Sequence, residues 1–252
     1  MKYNTTFQTV GAAYDDSLTI LEALNMEGSW EVVADATRRE NLLKKKSNAW
    51  VSKLVEHFRR RFIEDHPPLP DGHLVSKLAC KDISRQAKIQ VLYQYICESD
   101  PLIDRLINGL LGTWFSKYEA FPLRTIIYEE FILQETEAHP ELSSWSPTVF
   151  AVWRRKFYAF LRSTGLMDSS PSVEVRRLVL RPESFAFILF GLLDCGLPIV
   201  DVVNNRVWER FFMREQDWDE MLSICQVRGW LSYSRLGGIW ELTRREKSLE
   251  VT

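Results

Sequence analysis

The chain has 252 residues, 46% of them hydrophobic, 12% aromatic and 26% charged, a balance that supports a folded core and excludes a mainly disordered chain. Thirty-two Lys and Arg against 34 Asp and Glu leave a formal net charge of −2, which excludes a bulk polycation that coats nucleic acid but not a local basic patch. The longest apolar run, residues 185–193, lies between Glu183 and Asp194 and falls well short of the roughly 18 residues that a bilayer crossing takes.

The opening Met1-Lys2-Tyr3-Asn4-Thr5-Thr6 lacks the apolar stretch of a secretory signal. Cys80, Cys97, Cys195 and Cys225 are scattered without a close pair, the pattern of reduced, mostly buried thiols. The expectation is a cytoplasmic protein with no membrane association.

Apolar residues at helical spacing dominate. Leu18, Leu21 and Leu24 mark a first helix around 15–24, closed by a turn at Glu27-Gly28-Ser29. Asp35 is a candidate cap for a second helical region reaching about Ile63, with a break near Ser47-Asn48. Residues 66–72, with Pro67, Pro68 and Pro70, read as a loop. Helices are expected over 84–97, over 102–117 after the Asp100-Pro101 start signal, and over 123–137. The break from His139-Pro140 to Pro147 divides an N-terminal lobe, 1–140, from a C-terminal lobe, 141–252.

Beyond that break, Ser146-Pro147 opens a helix that runs to Ser163 and stops at Gly165. A turn-rich stretch, 168–172, and a β-rich run, 173–180, follow. A helix over 215–226 stops at Gly229, and strands at 230–234 and 239–243 flank a turn at Leu236-Gly237-Gly238. Helix, glycine stop, large apolar residue and hairpin thus occur twice, which is the order of a winged helix. The expected fold is all-α (mainly helical) with small β-hairpin wings: a helical N-terminal lobe followed by a winged-helix-like C-terminal lobe.

The near-neutral total conceals banding. Residues 11–37 hold six acidic side chains and no basic one, whereas 38–61 hold nine basic against two acidic. Residues 94–141 are acidic by nine to three, and 152–181 basic by seven to two. Winding the second region at about 100° per residue puts Leu43, Trp50, Val51, Leu54, Phe58 and Phe62 on an apolar stripe. Arg38, Lys45, Lys46, Lys53 and Arg60 fall opposite. Arg61 projects toward the apolar side and is expected to need a carboxylate from an acidic helix, because an unpaired buried charge is costly.

In the helix after Pro147, Val149, Phe150, Val152, Trp153, Phe157, Phe160 and Leu161 form the apolar face, and Arg154, Arg155, Tyr158 and Arg162 gather on the other. Arg155, Tyr158 and Arg162 share one helical row, from which arginine can reach guanine edges or phosphates. Arg176 and Arg177, with Arg181, would extend that footprint as a wing does. The blander reading of either region is a solvated face paired with acidic neighbours, and winged helices also dock proteins.

No phosphate-cradling G-x-x-x-x-G-K-[ST] loop, G-x-G-x-x-G turn, G-x-S-x-G elbow or zinc-spaced Cys pair is present. His66 and His73 flank Asp71 in a loop that does little to fix ligand geometry. Most tryptophans, among them Trp30, Trp50, Trp153, Trp208 and Trp240, lie among apolar neighbours and are expected in the core. The chain is therefore expected not to be an enzyme, with no cofactor, no metal and no small-molecule substrate.

The order Thr6-Phe7, Gly28-Ser29-Trp30, Arg39-Glu40-Asn41-Leu42-Leu43, Ser47 and Arg59-Arg60-Arg61-Phe62, followed by residues 160–166, resembles the BrxA proteins of BREX (bacteriophage exclusion) systems. The resemblance implies a small, mostly helical, non-enzymatic protein encoded with a phage-defence system that modifies host DNA and blocks phage DNA. It also implies DNA binding, and a likeness of the N-terminal part to helical RNA-binding antitermination factors. The leading expectation is a BREX component that binds double-stranded DNA, mainly at phosphates, through both basic faces. The rivals are a module that docks other BREX proteins, with Phe211-Phe212-Met213 and Trp218 as its contact, and a binder of structured RNA.

Overall fold

Short polar caps set most helix boundaries in the computed structural model, which describes residue 3, residues 5–237 and residues 239–245. After α1 (Thr6–Val10), helix α2 (Tyr14–Glu27) ends at Gly28, whose φ of 69° is left-handed. Ser29 then caps α3 (Trp30–Arg39), accepting from the Val32 N–H. Asp35, expected as that cap, lies inside α3 and pairs with Arg39 four residues on. Ser47 caps α4 (Asn48–Phe58), which widens into a π-helical turn at Arg59–Ile63.

A helix that the sequence pattern did not mark follows the proline loop: α5 (Gly72–Cys80), capped by the Asp71 carboxylate. Gly72 is required there, because a Cβ at that position would stand 2.0 Å from the Phe62 carbonyl oxygen. Next come α6 (Arg85–Ser99) and α7 (Pro101–Arg105), joined by a π-helical stretch, Leu106–Leu111, to α8 (Gly112–Phe115). Helix α9 (Thr125–Ala138) leads through a 3-10 turn, Pro140–Ser144, to α10 (Pro147–Thr164), which Ser146 caps and Gly165 ends as expected. The apolar run at 185–193 is a helix, α11 (Pro182–Asp194), followed by α12 (Ile199–Val203), a 3-10 turn at Arg206–Phe211, and α13 (Glu215–Val227).

Helix α6 is the hub. Its residues from Ile89 to Cys97 are buried on every side, which suits a helix in the middle of a core better than one on its surface. Two of those buried residues are glutamines, and both reach across the molecule. Gln90 donates to the Val179 carbonyl and accepts from the Arg181 N–H. Gln94 donates to the Val207 carbonyl and accepts from Arg210. The fully buried Arg210 also pairs with Glu98 at 2.6 Å and Asp104 at 2.7 Å, locking the 3-10 turn onto α6 and α7. One hydrophobic core therefore runs from Tyr3 to Leu231, through both sides of position 140.

Among the described residues the strands form two small antiparallel sheets on this helical body. Strands β3 (Leu231–Leu236) and β4 (Ile239–Arg244) make the hairpin expected near the C-terminus; Gly238 of its turn lies outside the described residues. The earlier wing differs. Of the β-rich run 173–180, Glu174–Arg176 alone is a strand, β2, and it pairs with β1 (Ala120–Pro122), placing Phe121 opposite Val175. A bridge from Met167 to Val175 supplies the local return. The ladder ends where Arg177 turns inward to the Phe212 and Phe115 carbonyls. Cys97 and Cys225 are buried, but Cys80 and Cys195 are exposed, and all four are free thiols. Among the described residues no helix is long and apolar enough to cross a membrane.

Candidate nucleic-acid interface

The cations expected to share one helix face, 38–61, are divided by a loop. Residues 41–46 connect α3 to α4 and contain two left-handed residues that are not glycine, Asn41 (φ 51°) and Lys44 (φ 51°). A left-handed lysine is strained, and here a clamp holds it. The Asn41 side chain accepts from the Lys45 N–H at 2.9 Å and donates to the Lys45 carbonyl at 2.7 Å, while Lys44 N–H bonds the Asn41 carbonyl.

That turn separates three consecutive lysines. Lys45 points back to the body, where its Nζ lies 2.9 Å from Asp16 and 5.2 Å from the centre of the Trp50 ring. Lys44 and Lys46 are exposed, and neither has an ion-pair partner among the described residues. Arg38 in the last turn of α3 and Lys53 in α4 are likewise exposed and unpaired. Lys45, expected on the outward face, thus turns to Asp16, and Lys44, not expected there, is exposed. Winding the whole region as one helix concealed this, because a left-handed residue changes the phase.

Arg60 is half-buried in the π turn, and its carbonyl accepts from His66 Nε2 at 2.6 Å. Arg61 is buried as expected. Its guanidinium donates to the Ala12 carbonyl at 3.3 Å and lies 5.8 Å from the Phe7 ring. The carboxylate that acts on it is Asp100, the cap of α7, rather than one on a helix face. Burial pulls the Arg61 guanidinium down to about 10 and pushes the Asp100 carboxyl up to about 6, in each case against the attraction of the partner charge. Arg61 is a core residue.

The second basic face is largely occupied. Arg154 pairs with Glu129 at 2.5 Å. Tyr158 is buried and donates its hydroxyl proton to the Leu123 carbonyl at 2.8 Å, which removes it from the surface row. Arg162 donates to the Ser172 carbonyl at 3.0 Å. Arg176 reaches Glu174 at 2.7 Å, a surface pair that a competing phosphate can replace at little cost. Arg177 donates to two carbonyls, stacks 5.5 Å from the Phe115 ring, and meets Glu119 at 3.3 Å. Arg155 alone of the α10 row is exposed and unpaired among the described residues.

The other proposed contacts also have structural duties. Phe211, Phe212 and Trp218, expected as an exposed docking patch, are buried. Asp71, between the two histidines, caps α5 through the His73 and Leu74 N–H groups. Four exposed cations without an ion-pair partner among the described residues, Arg38, Lys44, Lys46 and Lys53, therefore belong to the α3–α4 segment, on either side of the clamped loop that precedes α4.

A family model described as BrxA matches residues 1–190 of the chain. No curated protein is matched by the sequence. The fold is similar to that in the crystal structure of an uncharacterized protein from Magnetospirillum magneticum, with a TM-score of 0.61 at 15% identity over 84% of this chain and 98% of that one. At that identity the likeness bears on the fold alone.

Proposed function

The chain belongs to the BrxA family and has a BREX-associated role, and we propose that it performs this role as a non-enzymatic, cytoplasmic protein that binds double-stranded DNA through the α3–α4 corner. The observation that carries the reading is the clamped 41–46 loop, which holds Lys44 and Lys46 outward while Lys45 neutralises Asp16. Exposed cations without protein partners are the ones free to displace counterions from a phosphate backbone. Three of the four are lysines, point charges on flexible stems that suit phosphates better than the edges of bases, so little sequence preference is expected.

The test is fluorescence anisotropy of a labelled duplex at low salt, with unlabelled single-stranded DNA and RNA hairpins as competitors. Duplex binding that Lys46→Glu with Lys53→Glu abolishes is the expected result. No duplex binding at low salt overturns the proposal, and displacement of the duplex by RNA hairpins reassigns the corner to RNA.

A further inference from the structure

Helix α9 has the opposite character to the α3–α4 corner. Its fourteen residues include four glutamates and no lysine or arginine. Glu135 is buried and committed to Arg105 and the Tyr3 hydroxyl, and Glu129 to Arg154. Glu130 and Glu137 are exposed and carry no ion pair among the described residues. Among these acids, two large apolar side chains face water: Ile126, 56% exposed, and Leu133, 66% exposed. They are seven residues apart, two turns along one face.

Beside Leu133 the surface is concave. A cavity of about 440 Å³ opens between α9, the 3-10 turn and the first turns of α10, walled by Ile132, Leu142, Trp145 and Phe150. Singly exposed leucines need no explanation, but an exposed leucine at the lip of an apolar cavity, in line with a second exposed apolar residue, is the surface that a bulky anchor side chain fills. The charged residues of the cavity itself, Glu129 and Arg154, form an ion pair, so the sign of a partner's flank is set beside it, where unpaired Glu130 and Glu137 share the outer face of α9 with Leu133 and Ile126 and favour cations over phosphate.

We propose that α9 and this cavity form a docking site for an amphipathic helix of a partner protein, one that presents a large apolar anchor flanked by Lys or Arg. The anchor enters the cavity and packs on its Trp145 and Phe150 wall, its apolar neighbours lie along Leu133 and Ile126, and its basic flank meets Glu130 and Glu137. This is helix-in-groove recognition, with apolar burial supplying affinity and charge supplying orientation. The site is separate from the basic corner, so it stands whether or not that corner binds DNA.

The experiment uses the full chain and a fluorescein-labelled synthetic peptide of Leu and Lys in helical amphipathic order with one central Trp, and the same peptide with Glu in place of Lys. The Lys peptide binds, the Glu peptide does not, and Leu133→Ala and Glu130→Lys each weaken binding, their combination by at least about tenfold. Both positions are exposed, so the fold is kept, and Lys53→Glu leaves peptide affinity no weaker. Failure of the Lys peptide to bind, equal binding of the Glu peptide, or a Leu133→Ala variant with wild-type affinity overturns the proposal. A dimer of the chain alone, dissociated by Leu133→Arg, assigns the face to a second copy instead.

Discussion

If the α3–α4 corner holds duplex DNA, the salt dependence of binding counts its cations. Arg38, Lys44, Lys46 and Lys53 are the four exposed, unpaired ones. Each phosphate neutralised on B-DNA contributes about −0.9 to the slope of log K against log salt, so four give about −3.6. Between about 50 and 200 mM salt that slope lowers affinity about 150-fold. Lys46→Ala with Lys53→Ala leaves two contacts, a slope of about −1.8, and a loss of about 12-fold over the same interval. Arg154→Ala with Arg162→Ala removes cations already held by Glu129 and the Ser172 carbonyl, and leaves the slope near the wild-type value. The assay is duplex anisotropy at five or more salt concentrations, with circular dichroism to show that each variant is folded. A wild-type slope in the lysine variant, or a halved slope in the α10 variant, refutes the assignment.

Two further outcomes concern buried charged groups. Asp100 is buried and its carboxyl is pushed from 3.8 up to about 6, chiefly by desolvation, while burial and then the Arg61 and Arg60 charges press His57 from 6.5 down to about 4. The raised acid lowers stability as pH rises from 3.8 to 6, by about 3 kcal/mol at full effect, and the depressed histidine lowers it as pH falls from 6.5 to 4. The two trends oppose each other, so urea midpoints of His57→Gln should climb as pH falls from 6 to 4 and those of Asp100→Asn should drop; parallel profiles for both variants and wild type would exclude this pairing. Arg210→Met leaves the carboxylates of Glu98 and Asp104 without their buried partner, at a cost of about 3–5 kcal/mol. In a chain of this length that lowers Tm by roughly 6–20 °C, and a melt within about 2 °C of wild type would show that the network is dispensable.

The parts of this fold that a reader can find in the sequence are those whose signals are local. Gly28, Ser47, Ser146-Pro147 and Gly165 each end or begin a helix by their own chemistry, and all act where their residue types indicate. Asp35 carries the same chemistry but sits one turn inside a helix that Ser29 had already started. The 173–180 run is β-rich by composition, yet its ladder depends on β1, more than fifty residues earlier, and on where Arg177 finds acceptors. Site residues follow the same division. That Arg61 faces inward follows from the helical phase, whereas Tyr158 leaves the surface because the Leu123 carbonyl, on a distant segment, takes its hydroxyl. Lys44 was hidden because the loop between α3 and α4, with left-handed Asn41 and Lys44, breaks the helical phase.

The C-terminal hairpin shows why element order alone does not locate a DNA site. Helix α13, Gly229 and β3–β4 follow one another as in a winged helix, but three of the arginines there are held internally. Arg228 pairs with Glu183 and stacks on Trp230; Arg235 pairs with Glu215 and Asp219 and stacks on Trp240; Arg244 pairs with Asp194 and stacks on Phe190. Helix α13, in the position of a recognition helix, carries Glu215, Asp217, Asp219 and Glu220 and no basic residue. A phosphate backbone approaching this module meets repulsion from the helix and must displace carboxylates and aromatic rings from each of these three arginines before gaining a contact with it. At the α3–α4 corner Lys44 and Lys46 are already separated from the acid that Lys45 satisfies, and the loop that holds them is ordered before any ligand arrives. Binding of a polyanion there would forfeit less conformational entropy and break no pair, which is the physical reason the proposed DNA contact is placed on the α3–α4 corner and not on the C-terminal hairpin.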